Sequence, residues 1–218
     1  RHGARLMVDE AHSLGIFGET GRGLEEHFGL PGSIDVLMGT FSKAPGSLGG
    51  YVTGRADLVE YLRFFARSSM FTASLPAALC AGLTVAFRII ATEPEHRERL
   101  WANAKRLRGL LEAAGLSVPM RDAPILPVFL GEERLLWRFS RELFARGVKC
   151  GSVCHPAVPH GESILRLTLN ARHTADELDR AADASAAVGR RFGILGRTPE
   201  EIQVTGRRSP AKEARAGA

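Results

Sequence analysis

The chain has 218 residues, 44% hydrophobic and 24% charged, with a net charge of +5, the composition of an ordinary soluble globular protein able to bury a core. The stretch 197–218 carries five basic and three acidic residues, so the rest of the chain is only +3, too weak a balance to argue for nucleic acid as a partner. No apolar run approaches the roughly 18 residues of a membrane-spanning helix and no signal-like segment stands out, and three cysteines, Cys80, Cys150 and Cys154, cannot all pair internally, which points to a reduced, cytoplasmic setting.

The chain begins at Arg1 and reaches a strand-like run almost at once, so the expectation is a C-terminal portion of a longer protein. Short apolar runs at 5–9, 35–40 and 50–53, bounded by glycine-rich or polar turns, predict buried strands of a largely parallel sheet. Between the first two lies a glycine-rich loop, then one helical turn at 24–28 stopped by Gly29. Apolar spacing predicts helices over 56–67 and 75–91, with Pro76 tolerated in the first turn. Past Thr92 the pattern changes. Pro94 opens an Arg/Glu-rich helix with Leu100, Leu107, Leu110 and Leu111 on one face, closed by Gly115. A strand at 125–130, a helix at 132–146, a strand at 163–169 and a final helix ending near Phe192 follow, the last introduced by the capping-box signal Thr174-Ala175-Asp176-Glu177. The organisation expected is the end of a large domain at 1–92, a small α/β domain with an antiparallel sheet at 93–196, and a disordered polar tail at 197–218.

Lys43 carries the strongest chemical signal. Of the 29 basic residues 25 are arginine, yet a lysine stands in the small-residue loop Thr40-Phe41-Ser42-Lys43-Ala44-Pro45-Gly46. An ammonium can lose its proton and attack a carbonyl, whereas a guanidinium stays charged. The preceding strand ends in Asp9-Glu10-Ala11-His12. A carboxylate at the end of one strand and a lysine on the loop after the next are what pyridoxal phosphate requires: the lysine tethers the cofactor, and the carboxylate keeps its pyridine nitrogen protonated. Asp9 alone reads rather as a carboxylate capping a turn, and only together with Lys43 as the cofactor's partner, and His12 reads as a solvated turn histidine or a partner of the cofactor oxygen or substrate carbonyl. Thr40 and Ser42 stand where hydroxyls and N–H groups bind phosphate, or serve as turn hydroxyls. Thr72 precedes a helix N-terminus that favours an anion, with Ser74 the candidate N-cap. Arg166, alternating with apolar residues in Ile164-Leu165-Arg166-Leu167, either forks onto a carboxylate or faces solvent. Asp-Glu-Ala-His is also a helicase motif, but that chemistry needs a Gly-Lys phosphate loop, and no Gly-Lys pair occurs. The spacing of Cys150, Cys154 and His155, with no second ligand pair, does not suit a metal.

In combination these motifs resemble the α-oxoamine synthases, pyridoxal phosphate enzymes of fold type I. The resemblance rests on V-D-E-A-H-S-L-G at 8–15, G-x-x-G-x-G at 18–23, G-T-F-S-K-A at 39–44, G-G-Y-V at 49–52, the 71–76 segment, Val158-Pro159-His160-Gly161 and Leu165-Arg166-Leu167-Thr168. It implies an α/β fold, the C-terminal part of a fold-type-I transferase, with a mostly parallel sheet in the large domain plus a small α/β domain. It further implies that Lys43 binds the cofactor and transfers protons, Asp9 pairs with the pyridinium, His12 meets the ring oxygen, Thr40 binds the phosphate, Thr72 reaches the phosphate of a neighbouring subunit in a homodimer, and Arg166 holds the substrate carboxylate. The implied reaction condenses alanine, serine or glycine with an acyl-CoA or acyl-carrier-protein thioester, with decarboxylation. Pro45 and Ala157 depart from the family pattern where the acyl chain would run, and the family's upstream histidine and glycine-rich phosphate loop have no counterpart here. An aminotransferase using the same site, or a non-catalytic partner subunit, are the alternatives.

Overall fold

A computed structural model describes residues 2–120 and 122–207. The chain divides into two compact units, Arg1–Arg97 and Glu98–Ala218. In the first, β1 (Met7–Asp9), β2 (Val36–Thr40) and β3 (Gly50–Gly54) form one sheet in the order β1-β2-β3. β1 and β2 pair in parallel, with Val8 opposite Leu37 and Asp9 opposite Met38. The third strand departs from the expected parallel arrangement, because it runs antiparallel to β2, Thr40 pairing with Gly50. The loop 41–49 is too short to hold the crossover a parallel return needs, so the strand turns straight back. The expectation of burial also fails for both outer strands, Met7 of β1 being 63% exposed and Val52 of β3 40%. Asp35 anchors its start by accepting from the Leu6 amide at 2.9 Å and from the Arg5 guanidinium at 2.7 Å, and these two partners hold its carboxyl below the usual range.

Around this sheet lie α1 (Leu24–Phe28), α2 (Ala56–Phe65), α3 (Arg67–Met70) and α4 (Ala77–Thr92). The single helix expected over 56–67 is broken at Ala66, whose backbone is extended, and nothing in the sequence marks that break. α4 is capped by Pro76 with no side-chain hydrogen bond, so Ser74 is not its N-cap. Proline at this position loses no bond, since the first amides of a helix have no internal partner.

The second unit holds most of α5 (Glu95–Ala113), then β4 (Ile125–Gly131), α6 (Glu133–Ala145), β5 (Gly151–Val153), β6 (Ser163–Thr168), α7 (Ala175–Arg191) and α8 (Pro199–Arg207). Its sheet is antiparallel in the order β4-β6-β5. β6 alternates inward Ser163, Leu165 and Leu167 with half-buried or exposed Ile164, Arg166 and Thr168. Leu165 and Leu167 join Leu107 and Leu111 of α5, Leu126 and Val128 of β4, Leu136, Phe139 and Leu143 of α6, and Val188 of α7 in one core. Each such side chain contributes about 1.5–3 kcal/mol of burial. Among the described residues no single helix is long and apolar enough to cross a membrane, and all three cysteines are free thiols.

Two elements were not expected. β5 is only three residues long and lacks a distinct apolar run. α8 overturns the disordered tail over its first part: Thr198 Oγ1 accepts from the Glu201 amide at 3.3 Å while Glu201 accepts from the Thr198 amide at 2.9 Å, and Ile202 is buried against the core. A capping box plus one apolar anchor is enough to order an otherwise polar turn. The remainder of that tail, 208–218, lies outside the described residues.

The capping box at Thr174 forms as expected, Thr174 accepting from Glu177 at 3.3 Å and donating its amide to Glu177 at 2.9 Å. Thr174→Ala is expected to lower stability by about 1 kcal/mol, read as a lower urea midpoint at unchanged slope.

Candidate active site

The parallel pairing of β1 and β2 organises the site. Because Asp9 lies opposite Met38, the turn after β1 and the loop after β2 leave the sheet from the same end, the carboxyl ends of parallel strands where α/β folds place their ligands. Asp9, His12, Thr40, Ser42 and Lys43 all belong to those two exits. Asp9 is exposed, its Oδ1 accepting from the Ala11 amide at 2.8 Å, and His12 is exposed on the same turn.

The neighbouring Glu10 does the opposite. It is 1% exposed, its amide continues the ladder to Met38 O at 2.7 Å, Oε1 accepts from the Leu24 amide at 2.8 Å, and Oε2 accepts from the Ser13 hydroxyl. Successive residues leaving a strand point to opposite sides, so one acid of the pair is a buried clamp and the other faces out. Gly23 makes room for the clamp: its φ is +104°, and a Cβ there would overlap the Glu10 carboxylate. Burial pushes the Tyr51 hydroxyl up in pKa, and the negative charge of Glu10 adds to this.

The lysine loop is held by its own backbone. Ser47 donates to Phe41 O at 2.7 Å, Gly46 to Lys43 O at 3.0 Å and Phe41 to Gly49 O at 2.9 Å. Thr40 Oγ1 donates to Gly49 O at 3.1 Å, accepts from the Ser42 amide at 3.2 Å and lies 2.8 Å from Ser42 Oγ. Pro45 is buried and Lys43 exposed, so the loop is anchored beneath its reactive residue. Gly15, with φ +74°, lets the two exits meet, since a Cβ there would come within 2.8 Å of Ala44 Cβ.

Thr72 is exposed between α3 and α4 and makes no hydrogen bond to these residues among those described. Arg166 belongs to the second unit. It is half-buried on the central strand β6, flanked by Pro127 of β4 and Gly151 of β5, neighbours that leave space beside a long side chain. Ala157 sits exposed in a turn closed by its amide on Cys154 O at 3.0 Å. Sequence reasoning missed Glu10, Gly15 and Gly23 as supports of the site; their only signals were an acidic doublet at a strand end and the spacing of the glycines.

One edge therefore presents a carboxylate, an imidazole, an amine and two linked hydroxyls. This donor set suits pyridoxal phosphate, offering an anion for a pyridinium, a donor for a ring oxygen, a nucleophile for an aldehyde and hydroxyls for a phosphate.

The sequence model of the aminotransferase class I and II family matches residues 1–184, and the chain belongs to that family. Within it the chain is similar to α-oxoamine synthases: it is 39% identical over 204 residues to 8-amino-7-oxononanoate synthase 1 of Bacillus subtilis (strain 168), covering 94% of this chain and 50% of that protein. It is 44% identical over 186 residues to serine palmitoyltransferase of Sphingobacterium spiritivorum, covering 85% and 46%. The solved structure of serine palmitoyltransferase (SPT) with its PLP internal aldimine matches with a TM-score of 0.83 at 38% identity, covering 89% of this chain and 49% of that one. The chain thus spans about half the length of the curated relatives it matches.

Two outcomes follow from the clamp and its surroundings. Glu10→Ala strands the Leu24 amide and the Ser13 hydroxyl, and is expected to destabilise by at least about 2 kcal/mol in urea unfolding. For Glu26, burial pushes the carboxyl up, but the Arg22 and Thr20 amides, at 2.9 and 3.0 Å, and the Thr20 hydroxyl outweigh it and hold the carboxyl below its usual range. Its contribution is present above the unfolded value of about 4.3 and is lost as pH falls through the lower folded one. A pH titration of the Thr20 and Arg22 amide shifts should show a midpoint below the ordinary glutamate range.

Proposed function

We propose that the whole protein is a pyridoxal-phosphate-dependent C-acyltransferase that joins alanine, serine or glycine to an acyl-CoA or acyl-carrier-protein thioester. The new bond forms between the amino acid α-carbon and the thioester carbonyl, the thiol leaves, and the amino acid carboxylate departs as carbon dioxide. The supporting observation is the presentation of Asp9, His12, Thr40 and Lys43 at one edge of a parallel strand pair in a chain of this family.

When bound, pyridoxal phosphate supplies the electron sink for negative charge at the α-carbon. Asp9 holds the proton on the pyridine nitrogen and His12 donates to the ring oxygen. Thr40 Oγ1, already linked to Ser42 Oγ at 2.8 Å, binds the phosphate. Lys43 Nζ would tether the cofactor and would move the α-proton, and its place on an anchored loop would keep the amine close. The Arg166 guanidinium receives the substrate carboxylate bidentately. Thr72 reaches the phosphate held by a second copy in a cytoplasmic homodimer with shared active sites. Its exposure, next to Phe71 at 81% exposed, supports that reading. In this account 1–92 is the end of the cofactor domain and 93–196 the small domain, and the acyl chain runs past Pro45 and Ala157.

Lys43→Ala tests the assignment. The variant should keep its fold by circular dichroism but lose the visible absorbance band that appears with pyridoxal phosphate and shifts with the correct amino acid. A band retained in the variant sinks the role of Lys43. Thiol release with an acyl thioester supports acyl transfer, whereas amino-group exchange without thiol release assigns an aminotransferase.

A further inference from the structure

None of the residues assigned to the cofactor lines the cavity of about 360 Å³ that lies within the second unit, where the end of α6, the end of β6 and the start of α7 come together. A volume of this order falls at the small end of ligand pockets, roughly 300–1,000 Å³. Its floor is apolar: Leu107, Leu167 and Leu178 are buried core residues, with Val148 half-buried beside them. Its rim is cationic, with Arg146 and Lys149 following α6 and Arg180 on α7. The side chains of Arg146 and Lys149 form no hydrogen bond or ion pair among the described residues.

The other polar groups of the cavity fit the same pattern. His173 Nδ1 accepts from the Asn170 amide at 3.3 Å, so a neutral imidazole carries its hydrogen on Nε2 and offers a further donor. Glu177 is the one carboxylate in the lining. Its Oε2 already accepts from the Thr174 amide at 2.9 Å, and it balances a single cation of the three. The rim keeps a positive excess above an apolar floor. An inorganic anion satisfies only the rim, and a neutral hydrocarbon only the floor.

We propose that this cavity is a binding site for a small amphiphilic anion, a medium-chain carboxylate whose head group meets Arg146 and Lys149 while its chain lies on Leu107, Leu167 and Leu178. Octanoate is the probe, added to the full chain labelled with nitrogen-15, with octanol and inorganic phosphate as parallel titrations. Octanoate should give saturable shifts at amides within 146–149, 167–169 and 173–181, with an affinity at least about tenfold above that of either comparison ligand, the margin expected from charge-assisted hydrogen bonds added to apolar burial. Arg146→Glu with Lys149→Glu should weaken octanoate at least about tenfold without lowering the unfolding midpoint, both side chains being exposed. Should that pair of reversals disturb the fold, Arg146→Gln with Lys149→Gln provides the same comparison. Octanol binding as tightly as octanoate, phosphate doing so, an unchanged affinity in the folded double variant, or no saturable shifts would each overturn the site.

Discussion

A single buried carboxylate holds the cofactor-side architecture in place. Glu10 takes the amide that opens α1 and the hydroxyl of Ser13 into one enclosed network, while its own amide extends the β1–β2 ladder. Such a charge is costly to bury unless its lone pairs are satisfied, so the turn after β1 has little freedom to shift. The outward direction of Asp9 and His12 follows from that fixed turn. Gly23 is part of the same constraint, because any side chain there would occupy the space of the carboxylate.

The lysine loop shows the complementary strategy. It is secured by backbone hydrogen bonds and a buried Pro45 rather than by a charged clamp, which leaves Lys43 exposed. The contact of Gly15 with Ala44 then ties the two loops to each other. A loop secured by its backbone beneath an exposed amine suits the role proposed for Lys43, to hold a cofactor and release it.

Much of this was legible beforehand because each feature has a local cause. The capping box at Thr174, the glycine stop at Gly29 and the apolar stripe of α5 depend on residues within a few positions of one another. The same reasoning missed α8, although Thr198 and Glu201 carry the same capping signal, because the polar tail around them outweighed it. It missed β5 because three residues between cysteines give no period to read; that strand exists because β6 offers it a free edge. The break at Ala66 has no local signal at all.

For the candidate site, the sequence by itself determined which chemical groups are available: one lysine in an arginine-rich chain, an acid and an imidazole after a strand, and hydroxyls beside the lysine. Residue identity and spacing decide those, and they sufficed to indicate pyridoxal phosphate chemistry. The tertiary structure alone decided which acid of the Asp9-Glu10 pair faces out, that β3 turns back antiparallel, and that basic residues from the loop after α6 and from α7 gather over an apolar floor. Each of these depends on what lies across from a residue, and partners distant in sequence leave no periodic trace in the residue itself.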